Sequence, residues 1–200
     1  MKIGVDIDDV VLDSMDGYLK EWKKKFGNSI EIKDVSDYNF WNLFGGTSNK
    51  QARDFFDEFF EEKAYALDFI EGAKESINYL LKNHQIFFVT SRPNIYKEDT
   101  DNFFKKHFPN ENINIIYVDM NLFNHNNFNH EGKTKADICL NLKLDFLIED
   151  HEKYATGCSD SGIKVLLLDK PWNQDFQEHE NIVKVNSWNE ILEKIGVENE

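Results

Sequence analysis

Three carboxylates stand in the segment Gly4-Val5-Asp6-Ile7-Asp8-Asp9, where a short apolar run gives out. Residues two apart on a strand share a face, so Asp6 and Asp8 can point at one site. Two carboxylates that close repel, and one or both pKa values rise unless a cation joins them. Crowded oxygen ligands suit Mg²⁺, which keeps several waters and takes one or two protein carboxylates. A calcium loop of the EF-hand type does not fit, because Val10 takes the next alternate position and no glycine follows at the turn.

Three further segments carry matching chemistry. Phe87-Phe88-Val89-Thr90-Ser91-Arg92-Pro93 ends an apolar run in two hydroxyls and a guanidinium. Hydroxyls and main-chain N–H groups at a strand-to-helix turn suit a phosphate oxygen, although Thr90 and Ser91 can equally cap the next helix. Thr134 to Asp137 predicts a capping box, with Lys135 in the first helical turn and Lys133 just outside it. A lysine there opposes the helix dipole, so it implies an anion or an acidic neighbour, or else only a solvated surface. Leu144-Asp145-Phe146-Leu147-Ile148-Glu149-Asp150 ends in two adjacent acids, a second strand end able to receive a metal.

The elements that must position these residues alternate between β-like and helical runs, the pattern of an α/β fold. Lys2–Ile7, Gln85–Val89, Ile113–Val118, Leu144–Ile148 and Ile163–Leu168 read as about five strands of a parallel sheet. They lack polar alternation, as strands covered on both faces do. Met15, Tyr18, Leu19, Trp22 and Phe26 follow helical spacing, as do Ala73, Ile77, Leu80 and Leu81. A capping box from Ser187 to Glu190 opens the last helix. A β-α-β unit needs roughly 30 residues, yet the second strand starts only at Gln85. The surplus, residues 14–70, reads as a helical subdomain inserted into an α/β core of residues 1–13 and 71–200. Its aromatic face (Ala52, Phe55, Phe56, Phe59, Phe60) follows a capping box from Ser48 to Gln51 and reads as its packing core. Tyr38, Phe40 and Trp41 lie in a loop that could reach a substrate, with base stacking as the functional version and ordinary packing as the structural one.

Lys and Arg number 23 against 37 Asp and Glu, a formal charge of −14. That balance excludes a nucleic-acid polymer or an anionic membrane surface as partner. The 17 Phe and 40% apolar content exclude a disordered acidic chain. No stretch reaches the ~20 apolar residues of a membrane helix, and Met1–Val11 does not read as a signal peptide. Cys139 and Cys158 read as buried thiols, so a cytoplasmic protein is expected. Asn121–His130 is the most loop-like segment, and His125 and His130 within it read as polar loop residues, not metal ligands.

In order and position the four segments DIDD, TSRP, GKTK and IED resemble the motifs of the haloacid dehalogenase-like phosphohydrolase superfamily. Within it the TSRP turn, the IED pair and Asp169-Lys170-Pro171-Trp172-Asn173 resemble the 5′(3′)-deoxyribonucleotidase-like group. The resemblance implies a Rossmann-like core with a helical type-one cap over residues 14–70. It also implies phosphomonoester hydrolysis through an aspartyl-phosphate, with a nucleoside monophosphate as substrate. Asp6 would be the nucleophile and Asp8 the general acid/base. Mg²⁺ would be held by Asp6, the Asp8 backbone carbonyl and Asp150, with Glu149 behind them. Thr90, Ser91, Arg92 and a lysine, Lys135 or Lys133, would hold the phosphoryl oxygens, and Phe40 and Trp41 would meet the remainder of the substrate. Asp9 departs from the family pattern, which often has Gly there, and Glu149 replaces the usual Asp. Competing readings are a phosphatase for sugar or amino-acid phosphates and a phospho-acceptor signalling domain. A homodimer is left open.

Overall fold

The computed structural model describes residues 1–27, 30–36, 43–44, 50–63, 65–109, 111–118 and 134–197. Six strands among them form one sheet: β1 (Lys2–Val5), β2 (Gln85–Thr90), β3 (Ile115–Tyr117), β4 (Phe146–Glu149), β5 (Lys164–Leu168) and β6 (Ile182–Val185). Their order is β3-β2-β1-β4-β5-β6, and every pairing is parallel. The five strands expected from sequence are all present. The sixth, β6, was not expected, because it is a four-residue edge strand with alternating exposure and Lys184 in its middle. A search for continuous apolar runs passes over such a strand.

Helices cover both faces of the sheet. These are α1 (Ser14–Phe26), α2 (Lys50–Glu62), α3 (Ala73–Asn83), α4 (Lys97–His107), α5 (Lys135–Leu142), α6 (Glu152–Asp160) and α7 (Trp188–Ile195). The period-two geometry of the strands sorts the core residues. Ile86 and Phe88 of β2, with Ile3 and Val5 of β1, pack toward α3, α4 and α7. Phe87 and Val89 of β2, with Leu147 of β4, pack toward α5 and α6. Gly4 shares that second face, and its missing side chain is occupied space: a Cβ there would lie 2.6 Å from Leu144 Cδ1. The same alternation sends Asp6, one step past β1, and Glu149, the last residue of β4, toward α5.

Between β1 and α3 the chain builds α1 and α2 around a separate aromatic cluster. Tyr18 and Trp22 of α1 meet Phe55 of α2, and Tyr18 also meets Phe59, at ring separations of 5.1–5.3 Å. Tyr96, from the loop after β2, and Trp172, from the loop after β5, join this cluster. It therefore lies on the carboxyl side of the sheet. Ser48, of the capping box expected before α2, lies outside the described residues. Cys139 and Cys158 are buried free thiols, as expected. Among the described residues no helix is long and apolar enough to cross a membrane.

Two helix starts follow the expected capping. At α5 the Thr134 hydroxyl accepts the Asp137 N–H, and the Asp137 carboxylate accepts the Thr134 N–H at 2.8 Å. At α7 the Ser187 hydroxyl accepts the Glu190 N–H. The Glu190 carboxylate reaches one residue farther back than a capping box requires, to the Asn186 main-chain and side-chain amides. Trp188 opens α7 fully buried and donates its indole N–H to the Val10 carbonyl at 2.9 Å, pinning the turn after β1. Trp188→Ala removes both that anchor and a large core volume. It is expected to cost about 3–5 kcal/mol, read as a lower urea midpoint.

Candidate active site

In a 3-2-1-4-5 sheet the chain changes direction at the middle, and the crevice beyond the carboxyl ends of β1 and β4 is open to a ligand. Asp6 continues the β1–β4 ladder, its N–H donating to Ile148 O at 3.0 Å. A tight turn follows, in which the Val11 and Leu12 N–H groups both donate to Ile7 O. Asp9 supplies the left-handed residue of this turn, with φ 59°. Asp tolerates that region better than most residues, so the turn forms without glycine. The Asp9 carboxylate also accepts the Met15 N–H at 2.8 Å, capping α1 where the Asp13 side chain does not. A glycine could not supply that bond.

The centre of the site is a buried ion cluster. Lys135 Nζ donates to Asp6 Oδ1 at 2.6 Å and to Glu149 Oε2 at 2.7 Å. The other Glu149 oxygen, Oε1, accepts the main-chain N–H groups of Asp150 and His151. Asp150 Oδ2 accepts the Trp172 indole N–H at 2.9 Å. One carboxylate oxygen from each of Asp6, Glu149 and Asp150 lies within 4.8 Å of the others. The Tyr154 ring lies 4.7 Å from Lys135 Nζ. Lys135 sits at the start of a helix, where its charge is unfavourable, and these acids are the compensation its position implied.

Charge is short on the positive side, with three buried acids facing one lysine. Burial pushes Asp6 up to about 8; the charges of Glu149 and Asp8 add to this and Lys135 opposes it. Burial, together with Glu149, Asp6 and Asp9, holds Asp150 well above the usual carboxylate range. A divalent cation among these oxygens would remove the deficit, so the donor set fits Mg²⁺ in both charge and ligand type.

Asp8 lies in a different setting. Arg92 grips it with two bonds, Nη2 to Oδ1 at 2.7 Å and Nε to Oδ2 at 2.9 Å, and the Ser14 hydroxyl donates to Oδ1 at 2.5 Å. Burial alone would raise its pKa, but Arg92 and Ser14 outweigh burial and hold Asp8 below the ordinary value. Arg92 is itself buried; it donates to Thr100 Oγ1 and stacks over the Phe60 ring. The buried Thr90 hydroxyl accepts the Arg92 N–H at 3.1 Å, shaping the turn. The Ser91 hydroxyl lies beside the Tyr154 phenol.

The structure therefore gathers Asp6, Asp8, Thr90, Ser91, Arg92, Lys135, Glu149 and Asp150 at adjoining strand ends. Within this group Arg92 is bonded to Asp8. Lys133, Tyr38, Phe40, Trp41, His125 and His130 lie outside the described residues. Sequence reasoning missed Ser14, Asn173 and Tyr154 as parts of the site and the bond from Trp172 to Asp150. Ser14 looks like an ordinary helix start, and only its spacing of six from Asp8 hints at a contact.

The parallel sheet with acids at the ends of β1 and β4, a hydroxyl-rich turn after β2 and a lysine between the acids defines a haloacid dehalogenase-like hydrolase. The chain belongs to the family described as 5′ nucleotidase, deoxy (pyrimidine), cytosolic type C (NT5C), whose sequence profile spans residues 1–199. It is accordingly a phosphohydrolase of the nucleotidase type. A nucleotidase of Clostridium acetobutylicum is 26% identical, covering 96% of this chain and 91% of its own length. The protein YqfW of Bacillus subtilis is 24% identical over 96% of this chain and 92% of its own length. Among solved structures, a haloacid dehalogenase-like hydrolase of Streptococcus pneumoniae shares the fold with TM-score 0.65 at 16% identity, over 97% of both chains. A second, from Deinococcus radiodurans with bound phosphate and sodium, has TM-score 0.64 at 13% identity, over 97% of this chain and 94% of its own.

Removing one partner of a buried ion cluster leaves uncompensated charge. Lys135→Met is expected to destabilise the protein by about 3–5 kcal/mol in the absence of divalent cations, measured by urea unfolding in EDTA. Wild-type stability in that variant would mean that Asp6 and Glu149 do not depend on Lys135.

Proposed function

We propose that this chain is a Mg²⁺-dependent phosphatase for nucleoside monophosphates, acting in the cytoplasm through an aspartyl-phosphate on Asp6. The observation that carries the reading is the buried Asp6 carboxylate at the end of β1, hydrogen-bonded to Lys135 and flanked by Glu149 and Asp150. Family membership supports the substrate class. Magnesium bound to a solved neighbour, YfnB of Bacillus subtilis, is in keeping with the choice of metal.

Asp6 attacks phosphorus with a carboxylate oxygen, forming a P–O bond as the bond to the departing alkoxide breaks. Asp8 protonates that oxygen, then takes a proton from the water that attacks the acyl-phosphate and frees Asp6. The first half requires Arg92 to turn from Asp8 to the incoming phosphoryl oxygens, which lets Asp8 take up a proton from solvent and pass it to the departing oxygen; Asp8 is then ionised and ready to accept the proton of water. Lys135, Thr90 and Ser91 hold the remaining phosphoryl oxygens, and positioning plus charge stabilisation make up most of the catalysis. Mg²⁺ would be held by Asp6, the Asp8 carbonyl and Asp150, with Glu149 orienting Lys135 behind them; its chemistry is neutralisation of charge on the phosphoryl group.

Residues 14–70 act as the cap in this reading. A single nucleotide matches the acidic surface, since one phosphate needs only the few cations of the pocket.

Asp6→Asn is expected to lower turnover at least about 10³-fold while the circular dichroism spectrum is unchanged. Retained activity would remove Asp6 as nucleophile. Turnover should stop in EDTA and return with added Mg²⁺. Across a panel of phosphomonoesters, nucleoside monophosphates should give the highest kcat/KM; equal rates with sugar and amino-acid phosphates would refute the nucleotide assignment.

A further inference from the structure

The segment Asp169-Lys170-Pro171-Trp172-Asn173 follows β5, and none of the steps above uses it. Its geometry converges on one residue. The Trp172 indole N–H donates to Asp150 Oδ2 at 2.9 Å. Asn173 Nδ2 donates to the Asp150 carbonyl at 2.9 Å and to Leu168 O at 2.8 Å. Asn173 is itself fixed, because its Oδ1 accepts the Lys170 N–H and its carbonyl accepts Lys184 Nζ. Trp172 and Asn173 are 5% and 0% exposed, so these bonds are shielded from water.

Indole offers one donor and no acceptor. It engages Oδ2 of Asp150 and leaves Oδ1 without that bond, in a carboxylate that has an oxygen within 4.8 Å of oxygens of Asp6 and Glu149. The same indole belongs to the buried aromatic cluster that α1 and α2 build, which includes Tyr18, Trp22 and Phe60. The ring is thereby wedged, and so is the carboxylate bonded to it.

We propose that Trp172 is the positioning residue for the metal-binding carboxylate: its indole N–H sets the orientation of Asp150, and the α1–α2 cluster holds the indole. Outer-shell partners of metal ligands typically contribute 10- to 100-fold in affinity. This inference rests on the Mg²⁺ assignment above.

The test is Mg²⁺ titration by calorimetry on the full chain, without substrate, comparing wild type with Trp172→Phe. The variant keeps the ring in the cluster and removes only the donor. The expected result is a dissociation constant for Mg²⁺ about 10- to 100-fold higher. A folded variant with wild-type Mg²⁺ affinity would overturn the proposal, leaving Trp172 a packing residue. Wild type that binds no Mg²⁺ would instead overturn the metal assignment itself, so the two failures are distinct. A second measurement does not depend on the variant folding. In the NMR spectrum of the wild type, the Trp172 indole N–H should be protected from exchange and should shift along the Mg²⁺ titration. A resonance that exchanges freely and does not move would also overturn the proposal.

Discussion

Burying three carboxylates with one lysine is the constraint around which this fold is arranged. Each ion taken from water costs several kcal/mol, and attraction repays that only when geometry is good and the remaining lone pairs are satisfied. The protein satisfies them individually: Lys135 for Asp6 and Glu149, two main-chain N–H groups for the second Glu149 oxygen, and an indole for Asp150. What remains is a deficit of positive charge, which makes the site receptive to a cation and, once one is bound, to a phosphate ester.

The sheet supplies this arrangement through strand order and parity. Placing β1 between β2 and β4 brings Asp6, the Thr90 turn and Glu149 to adjacent strand ends. Alternation of side chains sends Asp6 and Glu149 toward the helix that carries Lys135, and Gly4 makes room for the Leu144 packing beneath them. Asp8 lies two residues on, beyond the reach of Lys135's hydrogen bonds, and meets Arg92 and Ser14 instead. Two carboxylates two residues apart are thus driven in opposite directions, Asp6 upward and Asp8 downward. Those directions are the reverse of what the proposed roles need, so a cation must bring Asp6 back to a carboxylate and Arg92 must leave Asp8 before Asp8 can carry a proton.

Much of this was legible in the sequence because it is local. Asp6, Asp8, Thr90, Lys135, Glu149 and Asp150 stand at strand or helix ends, where apolar runs and capping signals mark them. The helix α1 was marked by the apolar spacing of Met15, Tyr18, Leu19 and Trp22, and α2 by that of Ala52, Phe55 and Phe59. The parts that were not legible are long-range or depend on orientation. Trp172 lies 22 positions from Asp150, and nothing in the spacing joins an indole to a carboxylate. Arg92 faces Asp8 and is shielded from solvent because Phe60 and Thr100 shape its path. Asp9 occupies a position where glycine is expected, because its side chain caps α1 while its backbone makes the turn. β6 was hidden by its exposure at the sheet edge.

The central claim is that the carboxylate held by Lys135 is the atom group that takes the phosphoryl group. Rapid acid quench of a reaction with a radiolabelled nucleoside monophosphate tests it most directly. The prediction is transient label on the peptide containing Asp6, released by hydroxylamine as an acyl-phosphate is. Steady turnover with no label on the protein, or with label on another residue, would contradict it.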